Sequence, residues 1–128
     1  MPMFLKEQHH IAIIVSDWEK SREFYMDKLG FSLVREIYRP ERQDWLRMIT
    51  LGQTTLEVFV KPDAPRRPSF PEAQGLRHLA FRVEDIEAAA AWLNSIGIET
   101  EPIRRDHVNG GKFTFFRDPD DLPLELHE

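Results

Sequence analysis

His10-Ile-Ala-Ile-Ile-Val-Ser-Asp-Trp-Glu-Lys20 is written a second time, 68 residues on, as His78-Leu-Ala-Phe-Arg-Val-Glu-Asp-Ile-Glu-Ala88. The two stretches share His, Ala, Val, Asp and Glu in register. Outward from them the repeat continues. Leu29-Gly30-Phe31 answers to Ile96-Gly97-Ile98 at an offset of 67, and Leu56-Glu57-Val58 answers to Leu124-Glu125-Leu126 at 68. His10 and Glu57 therefore stand 47 residues apart, as do His78 and Glu125. A module that keeps one His and one Glu through duplication has the pattern of a metal site built from two imidazoles and two carboxylates.

Each copy reads as βαβββ. His9 to Val15 is a strand rich in β-branched residues. Asp17 is suited to cap a following helix, with Glu19 in its first turn, where a carboxylate favours the helix dipole. Trp18, Ser21, Tyr25 and Leu29 fall on one helical stripe, and Gly30 is placed to stop it. Strands are expected at about 31–39, 45–51 and 54–61, with Leu51-Gly52-Gln53-Thr54 as a hairpin turn. Residues 62–75 hold four of the nine prolines and read as a linker. The second copy has a strand at 77–83 and a helix capped by Asp85, with Ile86, Ala89, Ala90, Leu93 and Ile96 inward. Gly97 ends that helix, and strands follow near 98–104, 112–117 and 122–127, the last pair turning at Asp118-Pro-Asp-Asp121. The expected organisation is one domain, 1–128, of two modules, 8–61 and 76–127, joined by 62–75. Its class is α+β.

Alternation along the strands puts Ile11, Ile13 and Val15 on one face and His10, Ala12 and Ile14 on the other. The same parity sets Leu56 and Val58 against Glu57, Phe59 and Lys61. It sets Leu79, Phe81 and Val83 against His78, Ala80 and Arg82, and Leu124 and Leu126 against Glu125 and His127. The aliphatic rows suit the underside of amphipathic helices. The two His and two Glu are left on the opposite face. Carboxylates gathered away from water raise one another's pKa and lose hydration, a cost that a divalent cation removes. Nitrogen and oxygen donors without sulfur suit Zn, Ni, Co, Mn or Fe(II) in an open site better than a closed structural zinc site. Taken singly, a His at a strand start or a Glu in a strand is ordinarily an edge or surface residue. Both types twice in one register is the pattern that needs explaining.

Composition sets the bounds. A chain of 128 residues with 41 % apolar and 30 % charged residues is ordinary for a globular domain, and a net charge of −5 gives no basic face for nucleic acid. Without cysteine there is neither a disulfide framework nor thiolate chemistry. Met1 to Glu7 lack the long apolar core of a signal peptide, and no run is long enough to span a membrane. A cytoplasmic enzyme or binding protein acting on a small molecule is expected.

These motifs, together with Phe24-Tyr25, Arg77-His-Leu-Ala-Phe and Phe113-Thr-Phe-Phe-Arg-Asp-Pro-Asp, resemble the vicinal oxygen chelate superfamily. Within it the chain resembles glyoxalase I-like members, and the small bacterial YaeR-type proteins most of all. The resemblance implies an eight-stranded, incompletely closed barrel with helices outside, often in a homodimer. It implies His10, Glu57, His78 and Glu125 as ligands of one divalent metal ion. It also implies a lyase or isomerase of lactoylglutathione lyase type, acting on a small α-oxo or hemithioacetal substrate. Glu125 would be the general base and Glu57 its symmetric counterpart. Glutathione-using members carry a basic residue four places after the first ligand and an Asn four places after the first Glu. Here those positions are Ile14 and Lys61, so the glutathione-holding pattern is not matched and the resemblance leaves the thiol cofactor open. Arg82 and Lys61, with Phe59 as an apolar wall, are the expected substrate-binding residues for an anionic group. Other members of the superfamily offer different readings: a metal-dependent epimerase, an extradiol dioxygenase, a thiol transferase, or a small-molecule-binding protein without catalysis.

Overall fold

The computed structural model describes residues 3–128; Met1 and Pro2, the start of the segment read for leader character, lie outside them. The chain divides into two compact units, Met1–Ala64 and Pro65–Glu128.

In the first unit, β1 (Ile11–Val15) leads into a helix α1 (Trp18–Arg22) that continues as a π-helical turn over Glu23–Lys28. Strands β2 (Ser32–Arg39), β3 (Asp44–Leu51) and β4 (Thr54–Val60) follow. They form one sheet in the order β1-β4-β3-β2, with β1 parallel to β4 and the other pairs antiparallel. The second unit repeats this with β5 (Leu79–Arg82), α2 (Ile86–Ser95), β6 (Arg104–Arg105), β7 (Lys112–Arg117) and β8 (Pro123–His127). Its sheet runs β5-β8-β7-β6, with β5 parallel to β8. Both units are βαβββ, and both return the last strand beside the first.

The same local chemistry starts and stops both helices. Asp17 Oδ1 accepts from the Lys20 amide at 3.0 Å, and Asp85 Oδ1 accepts from the Ala88 amide at 3.0 Å. Gly30 and Gly97 end them at φ of 92° and 87°, a conformation glycine adopts without the Cβ penalty. Alternate strand positions then enter the core. Ile13, Val15, Ile49, Leu56 and Val58 are buried in the first unit, and Leu79, Phe116, Leu124 and Leu126 in the second.

Two expectations are corrected. The first helix does not bury Trp18, Ser21, Tyr25 and Leu29 as a plain α-stripe; it buries Ser21, Phe24 and Tyr25, while Trp18 and Leu29 are half-buried. The π turn is the reason: the Leu29 amide donates five residues back, to Phe24 O at 3.0 Å, and the wider turn brings adjacent Phe24 and Tyr25 inward together. Tyr25 then meets Phe24 and Phe31 edge-on at 5.0 and 5.6 Å. The strand expected over 98–104 is only Arg104–Arg105. Pro102 has no amide to give a ladder, so pairing before it reduces to Glu101, whose N–H donates to Phe115 O and whose carbonyl accepts from Thr114 Oγ1.

Outside the core, Arg47 lies over the rings of Trp18 and Trp45 at 4.5 and 5.2 Å and pairs with Glu36 at 2.8 Å, tying α1 to the sheet. Strand β2 is exposed from Ser32 to Tyr38, including Leu33, Val34, Ile37 and Tyr38. Among the described residues no helix is long and apolar enough to cross a membrane.

Candidate functional site

The last residue before β1 is His10, and the last before β5 is His78. Strand pairing fixes what each can reach. Ala12 lies directly opposite Glu57 on the parallel neighbour, and Ala80 lies opposite Glu125. His10 and His78 are two residues upstream on the same faces. A methyl group at Ala12 and at Ala80 leaves room for each imidazole to lean over towards its carboxylate. The shared Ala of the repeat thus has a steric role that its sequence position alone does not reveal.

The outcome is the same pair twice. His10 Nε2 is 3.8 Å from Glu57 Oε2, and His78 Nε2 is 3.7 Å from Glu125 Oε1. The carboxylates are the more enclosed partners, at 16 % and 13 % side-chain exposure against 35 % and 24 % for the imidazoles. Both separations are too long for a hydrogen bond. They are shorter than the span of two metal–ligand bonds of about 2.1 Å each, so each pair fits a shared divalent ion. Among the described residues no group of three or more His, Asp or Glu is placed to hold a metal ion; each unit brings one His and one Glu together.

Supporting contacts differ between the copies. His9 is exposed, and its Nδ1 shares a hydrogen bond with His10 Nδ1 at 2.8 Å. With His10 Nδ1–H donating, Nε2 keeps its lone pair towards Glu57. His78 instead meets Phe115 edge-on at 5.0 Å. His127 stacks on Phe113 at 6.3 Å and faces Asp106 at 4.0 Å. Phe59 is half-buried under the Arg39 guanidinium at 5.3 Å, and Arg39 is tied to Asp44 by two hydrogen bonds of 2.8 and 2.7 Å. That pairing holds the Asp44 carboxyl below the ordinary carboxylate range. Lys61 follows β4 and Arg82 ends β5, and both side chains are exposed.

A cavity of about 430 Å³ opens in the second unit, between the proline-rich segment and the β8-β7-β6 face. His78 lies in its wall, as do Phe70, Phe113 and Phe115. Four arginines line it: Arg67, Arg77, Arg104 and Arg117. Arg77 is hydrogen-bonded to Glu72, which holds that carboxyl below its ordinary range, and Arg104 pairs with Glu101 at 2.8 Å. Arg82 is not among the lining residues. Sequence reading missed this constellation, because it treated 62–75 as a spacer; the available signal was the arginine content of Arg66-Arg67 and Arg77.

Residues 7–126 match the family model of the Glyoxalase/Bleomycin resistance protein/Dioxygenase superfamily. The protein belongs to that superfamily. Within it the chain is 54 % identical to YwkD of Bacillus subtilis (strain 168), over 98 % of this chain and 99 % of YwkD. It is also 54 % identical to YaeR of Escherichia coli (strain K12), over 97 % of each; both relatives are uncharacterized proteins. The crystal structure of the glyoxalase family protein from Enterococcus faecalis superimposes with a TM-score of 0.91 at 56 % identity, covering 98 % of this chain and all of that one. The superfamily resemblance read from the repeated His and Glu motifs is borne out, and so is the α+β class.

Proposed function

We propose that this superfamily member is a divalent-metal-dependent lyase or isomerase of glyoxalase I type, with His10, Glu57, His78 and Glu125 as its ligands. The observation that carries the reading is the duplicated pair: one imidazole nitrogen and one carboxylate oxygen, 3.8 and 3.7 Å apart, at matching positions of two matching sheets. Both pairs are ligands of one shell in this reading. The exposed apolar row of β2 supports association with another surface.

A divalent ion held there supplies Lewis acidity towards vicinal oxygens of a small α-oxo or hemithioacetal substrate. The chain's own residues do the rest. Glu125 takes the proton from the carbon next to the substrate carbonyl and returns it to the neighbouring carbon. In β8 it stands opposite Ala80 and Phe115 on the flanking strands, and its 13 % side-chain exposure limits exchange of that proton with bulk water. Glu57 is the symmetric alternative. His9 and Phe115 hold the two imidazoles in orientation.

The second reading is an epimerase or isomerase acting on an anionic substrate without a thiol. The arginine-lined cavity favours it, as does the absence of the glutathione-contacting pattern at Ile14 and Lys61. Relatives of lower identity carry names on both sides of this choice: Metallothiol transferase FosB of Staphylococcus saprophyticus at 30 % and 2-epi-5-epi-valiolone epimerase of an Actinomyces species at 28 %. The test is turnover by metal-loaded protein of methylglyoxal mixed with glutathione and other small thiols, followed in deuterated solvent. The glyoxalase reading expects 2-hydroxyacyl thioester product. Inactivity with every thiol contradicts it in favour of the second reading.

A further inference from the structure

We propose that the cavity of the second unit binds an oxyanion group of the substrate, a carboxylate or a phosphate, and that Arg67 and Arg117 recognise it. This deepens the enzyme reading and rests on it only in treating the occupant as substrate. Of the four guanidinium groups in the wall, Arg77 and Arg104 are neutralised by Glu72 and Glu101. Arg67 and Arg117 are not. Among the described residues the ion pairs of this unit use Arg66, Arg77, Arg104, Lys112, His78 and His127.

Neutral acceptors nonetheless hold both in place. Arg67 donates through Nε to Ser69 Oγ at 3.1 Å and through Nη2 to the carbonyls of Leu76 and Arg77 at 3.3 and 3.5 Å. Arg117 donates through Nη1 to Asp121 O at 3.3 Å and lies over the Phe70 ring at 5.9 Å. Carbonyls orient a guanidinium without cancelling its charge. Two oriented, uncompensated cations in one concave wall attract an anion, and the planar guanidinium fork matches carboxylate and phosphate oxygens. The volume of about 430 Å³ suits a small molecule, not a polymer. Phe113 and Phe115 offer its apolar body a surface, and His78 in the same wall places the anionic end beside the proposed reacting centre.

The probes are inorganic phosphate and malonate, titrated calorimetrically into metal-loaded and chelator-treated protein. One equivalent of at least one probe is expected to bind per second unit, and the tighter of the two assigns the oxyanion class. Arg67→Gln and Arg117→Gln should each weaken binding about tenfold or more, the effect of losing a charged hydrogen-bond donor. Arg66→Gln, which alters only the outer pair with Asp121, should bind as the wild type does. Arg117→Lys, keeping the charge but not the fork, should fall between. Absence of heat with both probes overturns the proposal. So does binding that vanishes with the metal yet ignores both arginines. If the protein carries no metal but binds a probe through Arg67 and Arg117, the anion site stands and the metal reading falls.

Discussion

Replacing His78 by Ala separates a metal ligand from a packed aromatic residue, because the two roles differ in size and in metal dependence. The packing role is small. The ring meets Phe115 edge-on at 5.0 Å, a contact worth about 1 kcal/mol. For a chain of this length that is about 4 °C of melting temperature. The ligand role is larger and appears only with metal. At an ion concentration a hundred times Kd, wild-type protein gains about 2.7 kcal/mol, or about 10 °C. Loss of a direct ligand should weaken affinity by at least about 100-fold, the upper end of what an outer supporting partner costs. At the same concentration the variant then gains only about 0.4 kcal/mol, about 2 °C. Phe115→Leu is the control: it removes the edge contact that orients the ring but keeps the imidazole, so it should start lower and, with about tenfold weaker affinity, still rise by about 6 °C, well above the His78→Ala variant. Differential scanning fluorimetry with Zn, Ni, Co and Mn in turn reads all of these values. A His78→Ala protein that keeps the wild-type shift, or a wild type that none of the four ions stabilises, refutes the reasoning.

Three further outcomes follow from the geometry. With metal saturating, Glu125→Gln should lower kcat by about 10²–10⁴ while Glu57→Gln lowers it far less, measured as steady-state turnover; equal losses would contradict Glu125 as the base. Arg47→Ala removes two ring contacts and the Glu36 pair, and should cost about 1–2 kcal/mol in urea unfolding with metal content unchanged. Asp44, Glu72 and Glu87 are held below their ordinary carboxylate values by hydrogen bonds from Arg39, Arg77 and Lys112. The unfolded chain therefore binds more protons, and stability is complete above about pH 4–5 and declines as the pH falls through the depressed values. Urea midpoints measured downward from pH 6 should show this decline, and Asp44→Asn with Glu87→Gln should flatten it.

The architecture was legible because duplication repeats its local determinants. Asp17 and Asp85 cap, Gly30 and Gly97 stop, and alternation about Glu57 and Glu125 assigns the strand faces. Those cues act over three or four residues and survive in sequence. What escaped them depends on contacts at longer range. The π turn at Glu23–Lys28 is set by which aromatic rings the core accepts, and β6 is short because Pro102 interrupts its pairing. The cavity was illegible for a related reason: its arginines are scattered from Arg67 to Arg117, and the proline-rich segment that forms one wall has no period to read. His10, Glu57, His78 and Glu125 stood out in the sequence as candidate ligands, and the structure shows how each His–Glu pair is built, with small Ala12 and Ala80 opposite the carboxylates.

X-ray absorption at the metal edge of zinc- or nickel-loaded protein addresses the donor shell itself. One ion per chain, with scattering from two imidazole rings and the remaining near neighbours all oxygen, is the expected spectrum. A shell with a single imidazole, or two ions per chain each held by one His and one Glu, would contradict the shared site.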